Sequence, residues 1–294
     1  MSTQPKPATA SESASVITGS VRRSAMPSQG GLTHCLRVHW PEYGMEAALL
    51  GCFMLSACIF GVLLEYPDSP LHLALASAFL RRSIAGVAMG ITAIAIVYSP
   101  WGKQSGAHIN PAITLSFLRL RKIGLWDALF YMSAQFLGSA VAVALVSAAI
   151  GRYLSHPAVN YVITIPGKFG SLTAFAAEFV ISFLLMTAVL SLSGTGRLAK
   201  YTGLFVGVMV ATYITFESPL SGMSMNPART LGSAISADVW SAIWIYFVAP
   251  PVAMLAAVEL HLLRKARVVD GCAKLHHENT RRCIFCGANG GFAS

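Results

Sequence analysis

Asn-Pro-Ala occurs twice in this chain, within SGAHINPAIT at residues 105–114 and within SGMSMNPART at 221–230, and the second copy runs straight into Arg229. These residue types do not suit bond making. The amides of Asn110 and Asn226 offer hydrogen-bond donors, and Arg229 adds a fixed positive charge. Together they suit recognition of a neutral molecule carrying an acceptor oxygen. Glu46 and Glu178 put two carboxylates inside otherwise apolar runs, where an unpaired charge is expensive. A third constellation, CAKLHHENTRRCIFCG at 272–287, brings thiols and imidazoles into a short stretch. Cys272, Cys283, Cys286 and one histidine, His276 being the expected one, could supply four tetrahedral zinc ligands. A mobile reduced tail and a redox sensor are the alternatives. Cys52 and Cys58 read as small packing residues, and Cys35 lies in the amino-terminal tail.

The elements that must position these residues follow from composition. Of 294 residues, 55% are hydrophobic and 11% charged, and mean hydropathy is +0.61. That is a bilayer composition. The formal charge of +9 comes from basic residues set singly between apolar runs and clustered near the ends, which fits juxtamembrane anchoring and not nucleic acid. No Walker A, HExxH or GxSxG pattern occurs, and no enzyme is expected. Apolar runs at 43–64, 83–99, 125–150, 173–193, 201–217 and 239–263 predict six transmembrane helices. Two shorter apolar pieces begin at Asn110 and Asn226 and are too short to cross. The expected organisation is a disordered tail over 1–41, a membrane domain over 42–264 and a second tail over 265–294.

The chain also repeats itself. Glu46, Gly86-x-x-x-Gly90, Asn110-Pro111-Ala112 and Gln135 follow one another in a first half of about 42–150. Glu178, Gly203-x-x-x-Gly207, Asn226-Pro227-Ala228 and Pro250 follow in a second half of about 173–264. Gly90 precedes its asparagine by 20 residues and Gly207 precedes its own by 19. Three spans per half make the second half upside down. Irregular backbone inside a bilayer needs a protein or water-filled surround, and Asn as N-cap with Pro at the first helical position starts a helix. Two re-entrant half-helices should therefore begin near the midplane, N-terminus to N-terminus, each contributing roughly half a positive charge that repels cations.

Lys and Arg set the orientation. Arg22, Arg23, Arg37, Lys103, Arg119, Arg121, Lys122, Arg197, Lys200, Arg264, Lys265 and Arg267 fall on one side, and Arg81, Arg82, Arg152 and Lys168 on the other. The richer side is expected to be cytoplasmic, with both termini on it. Arg81 and Arg82, at the start of the second span, run against this and are expected to snorkel.

An all-α membrane protein with six spans, two half-helices, an inverted repeat and two Asn-Pro-Ala copies resembles the aquaporins, or major intrinsic proteins, over about residues 42–264. The resemblance implies a passive, cofactor-free channel in the cell membrane, usually a homotetramer, passing water and excluding ions and protons. It implies a constriction formed by Arg229 with Met89, Ile214 and Met223. It also implies that Glu46, Glu178 and His108 brace the re-entrant loops. Water-selective members usually carry a histidine at Ile214 and an aromatic at Met89, so this constriction reads as more apolar. Thr230 after the arginine, and Tyr246 and Phe247 before Pro250, point back toward water. Glycerol, urea, ammonia, hydrogen peroxide or a dissolved gas are the alternative cargo, and an ion-coupled secondary transporter is the alternative class.

Overall fold

A computed structural model describes residues 31–193, 197–264, 272–277 and 279–286. Among them the chain forms twelve α-helices: α1 (Leu32–Val38), α2 (Trp40–Glu65), α3 (Pro70–Ala74), α4 (Ala78–Tyr98), α5 (Pro100–Ser105), α6 (Pro111–Arg119), α7 (Leu125–Leu154), α8 (Gly170–Ser193), α9 (Thr202–Phe216), α10 (Ser218–Ser221), α11 (Pro227–Ala237) and α12 (Ile243–Arg264). Six are long and apolar enough to cross a membrane: α2, α4, α7, α8, α12, and α9 with the short turn before it. They correspond to the six apolar runs. Much of their apolar surface points outward, for example Leu137 and Leu145 at 65% exposure each. Such a surface needs lipid or another apolar partner.

Local chemistry starts and stops the helices. Ser99 accepts from the Gly102 amide at 2.9 Å and opens α5, which ends on Gly106 with φ of 102°. Gly222, with φ of 79°, ends α10 in the same way. Each of these glycines leads into irregular chain that stops at an asparagine. Asn110 Oδ1 accepts from the Ala112 amide at 2.8 Å and Asn226 Oδ1 from the Ala228 amide at 3.0 Å. Pro111 and Pro227 take the first helical positions, so the two motifs open α6 and α11, of 9 and 11 residues.

The two halves close on each other along α4 and α9, and glycine permits it. A Cβ on Gly90 would sit 2.5 Å from the Gly207 carbonyl oxygen, and one on Gly207 would sit 2.6 Å from that of Gly90. The helices touch backbone to backbone. α2 packs on α7 and α8 on α12, while α11 lies against α7 and α6 against α12. Each short helix is thus held by the other half.

One tail expectation differs from the structure. The stretch assigned to a disordered tail up to residue 41 contains α1, and His39 Nδ1 and Tyr43 Oη both lie on Asp127 Oδ1, at 2.7 and 2.5 Å, tying this region to α7. An Asp on a distant helix supplies the partner, which no local pattern reveals. Residues 1–30, with Arg22 and Arg23, and residues 265–271, with Lys265 and Arg267, lie outside the described residues. Arg81 is paired: its Nε donates to Glu65 Oε2 at 3.2 Å and its Nη1 to the Leu75 carbonyl at 2.9 Å.

Candidate functional site

A cavity of about 200 Å³ runs between the two halves, room for several waters at the ~10–15 Å³ each requires. Helical periodicity sets its wall. α4 supplies Ala85, Met89, Ala93 and Val97, one per turn, and α9 supplies Val206, Val210 and Ile214. At 1.5 Å per residue the α4 stripe spans about 18 Å. Met89, Ile214, Met223 and Arg229 all line this cavity, as do Asn110 and Asn226. Three of the four expected constriction residues are apolar. Arg229 Nη1 is buried and has no hydrogen-bond partner among the described residues.

The loops before the two motifs are built to one plan. Glu46 accepts from Ser105 Oγ at 2.7 Å and from the amides of His108 at 3.0 Å and Ile109 at 2.6 Å. Glu178 accepts from Ser221 Oγ at 2.8 Å and from the amides of Ser224 at 2.6 Å and Met225 at 2.7 Å. The three donors stand five, two and one residues before each asparagine. Ala107 and Ile109 in one loop, and Met223 and Met225 in the other, adopt positive φ between 41° and 55°. That backbone is strained for side-chain-bearing residues, and the carboxylates lie on the amides of the same turns. The asparagines then cross over: Asn110 Nδ2 donates to the Met225 carbonyl and Asn226 Nδ2 to the Ile109 carbonyl, both at 2.7 Å.

Sequence reading missed several contributors. Tyr131 Oη donates to the Ser105 carbonyl at 2.7 Å and Tyr246 Oη to the Ser221 carbonyl at 2.5 Å, an equivalent pair. Tyr246 therefore supports a loop from full burial, and Phe247 stacks on Phe136 at 6.0 Å. Thr230 is buried and held by Ser224 Oγ at 2.6 Å and Thr164 Oγ1 at 2.8 Å. The features that pointed toward water have structural work at these positions. Glu217 reaches the same Ser221 hydroxyl as Glu178, at 2.5 Å. Phe60 on α2 and Val162 between α7 and α8 also line the cavity. Val162 sits in irregular chain with φ of 49°, where no periodicity announces a wall residue. Gln135 does make the interhelical contact expected, donating to Glu46 Oε2 at 2.8 Å.

The Cys/His segment lies at the opposite end of the cavity from Arg229. Cys272, His277, Cys283 and Cys286 present ligand atoms all within 4.8 Å of one another. The histidine is His277, not His276: His276 turns away to meet the Tyr98 ring edge-on at 5.2 Å, whereas His277 Nε2 faces Cys286 Sγ at 3.7 Å. The two histidines are adjacent in sequence, and spacing alone does not choose between them. Cys272 and Cys283 sulfurs are 3.3 Å apart. The Cys272 thiol as donor pulls Cys283 below the usual thiol range and is itself held above it. The hydrogen bond with Cys283 raises His277, while burial lowers Lys274.

Residues 43–261 match the family model described as major intrinsic protein. Among similar proteins, Aquaporin NIP6-1 of Arabidopsis thaliana is 35% identical over 184 residues, 62% of this chain and 58% of that protein. Aquaporin NIP3-1 of Zea mays is 33% identical over 197 residues, 66% of this chain and 62% of that protein. This chain thus spans about three-fifths of those plant relatives' length. A glycerol uptake facilitator protein-like 6 of Lactiplantibacillus plantarum is 37% identical over 181 residues, covering 58% of this chain and 81% of that protein. The X-ray structure of the aquaglyceroporin from Plasmodium falciparum superposes with a TM-score of 0.61 over 76% of this chain and 95% of that one, at 19% identity, a likeness of fold.

Proposed function

This chain belongs to the major intrinsic protein family, and from that premise we propose that it is a passive channel for water together with small neutral solutes of about glycerol size. The constriction carries this reading. Met89, Ile214 and Met223 line the same cavity as Arg229, whose Nη1 is buried with no hydrogen-bond partner among the described residues. One donor opposite an apolar wall suits a molecule with hydroxyl oxygens on one side and carbon on the other, while a histidine and an aromatic would favour water alone. The names of the relatives, aquaporins and a glycerol facilitator among them, support the same class.

The mechanism is selective passage without covalent chemistry. A solute entering at Arg229 accepts a hydrogen bond from the guanidinium and slides along the Met and Ile side chains. It then meets the N-termini of α6 and α11, where each asparagine amide has a second N–H beyond the one given to the facing loop. A cation would shed water beside a guanidinium and two positive helix ends, with no carboxylate offered in return. Glu46 and Glu178 are already engaged by loop donors, which supports a bracing role for them and for His108 over ion coupling. We place the protein in the cell membrane as a homotetramer with both termini cytoplasmic, the Leu275 end of the cavity facing inward.

Stopped-flow light scattering on proteoliposomes tests this. Fast osmotic shrinkage followed by fast re-swelling in glycerol is expected. Shrinkage without re-swelling would restrict the channel to water, and solute uptake that requires a sodium or proton gradient would replace the channel with a transporter.

A further inference from the structure

We infer that Cys272, His277, Cys283 and Cys286 bind one zinc ion, and that the segment folded around it is a plug that seats Leu275 in the end of the pore opposite Arg229. The metal half stands on the ligand set alone; the plug half rests on the channel reading above.

The donors fit. Three thiols and an imidazole favour zinc over hard cations. Zn–S bonds of about 2.3 Å in a tetrahedron put ligand atoms about 3.8 Å apart, and the separations of 3.3 Å for Cys272–Cys283 and 3.7 Å for His277–Cys286 lie close to that, the sulfur pair having to open by about half an ångström around the ion. No helix or strand forms among the described residues from 272 to 286, and so short an irregular segment needs a staple to hold one shape.

That shape is specified by its seat. Leu275 is 2% exposed and lines the same cavity as Asn110 and Asn226. Its amide donates to the Gly106 carbonyl at 3.1 Å, and His108 Nε2 lies 2.5 Å from the Ala273 carbonyl. Lys274, 1% exposed, places Nζ on the carbonyls of Lys103 at 2.9 Å and Arg282 at 2.7 Å. Phe285 stacks on His108 at 5.7 Å. Gly106 admits this contact, since a Cβ there would meet the Ala273 carbonyl oxygen at 3.1 Å and Phe285 at 3.3 Å. The segment therefore docks on the first re-entrant loop, with a buried ammonium that only a correctly folded segment satisfies.

The test is made on the full chain, purified without chelator and reconstituted in proteoliposomes, with metal content read by mass spectrometry and permeability by light scattering. About one zinc per chain is expected, falling below about a tenth of that in the Cys283→Ser, Cys286→Ser double variant, as a four-ligand site requires. Stripping zinc with a membrane-permeant chelator should raise water and glycerol permeability several-fold, and ZnCl2 should reverse it. Leu275→Gly should keep its zinc and be open in both states. Wild-type protein without zinc, or with Cys272 and Cys283 joined as a disulfide, overturns the metal site. Bound zinc whose removal leaves permeability unchanged overturns the plug. A chain impermeable in every state, Leu275→Gly included, overturns the channel reading and the plug with it, while zinc content still decides the metal site.

Discussion

Asn110 and Asn226 each donate Nδ2 to the carbonyl that precedes the other, Met225 and Ile109, at 2.7 Å in both directions. Each is also the N-cap of its own short helix. Replacing either by Ala removes a cap and a cross-bond, together roughly 1–3 kcal/mol. The two losses fall on one interface, so Asn110→Ala with Asn226→Ala should cost less than the sum of the singles. Thermal unfolding in detergent of the two singles and the double measures it, and additive shifts would mean that the loops are held independently.

Two carboxylates near one hydroxyl give a sharper contrast. Ser221 Oγ lies 2.8 Å from Glu178 and 2.5 Å from Glu217, and its single hydrogen serves one of them. A second proton must therefore sit between the other pair. Glu178→Gln aims an NH2 group at backbone amides that need an acceptor and should reduce folded yield and permeability. Glu217→Gln replaces a group that can carry the proton and should keep both near wild type. The reverse pattern, with Glu178→Gln tolerated and Glu217→Gln harmful, would place the proton on Glu178 instead.

Selectivity should follow the constriction. Introducing Ile214→His with Met89→Phe adds a donor and narrows the apolar wall, and the glycerol-to-water permeability ratio should fall by about tenfold, equivalent to ~1.4 kcal/mol. Arg229→Val should admit larger solutes and relax exclusion of cations. Vesicle assays with glycerol and with a potassium gradient read both. Unchanged ratios would move the narrow point elsewhere along the cavity.

The helix seam can be tested against a built-in control. Gly90→Ala pushes a Cβ onto the Gly207 carbonyl oxygen at 2.5 Å, whereas a Cβ on Gly44 meets nothing within 4 Å. Gly90→Ala should lower the unfolding temperature and Gly44→Ala should not, because backbone cannot yield as a flexible side chain can. Like behaviour of the two would remove close packing as the reason for these glycines.

What sequence disclosed, and what it hid, divides by range. Long apolar runs and paired Asn-Pro-Ala copies are local or periodic, so six spans and two opposed short helices are legible before any coordinates. The donors around Glu46 and Glu178 are not, because Ser105 lies 59 residues from Glu46 and Ser221 lies 43 from Glu178. Val162 and Phe60 reach the cavity through loop geometry and helix rotation that hydropathy does not carry. His277 in place of His276 depends on which way one backbone turns. The segment at 272–286 belongs to neither half of the repeat, so internal symmetry is silent about its seat on Gly106 and His108.

A passage assembled from two opposed copies has no preferred sense of flow; whatever gradient exists decides the net direction, and matched loops treat molecules from either side alike. The Leu275 stopper belongs to a single face. A signal that loosens or tightens it must therefore reach one compartment, although the flow it permits can run either way. Control would be one-sided, while transport stays reversible.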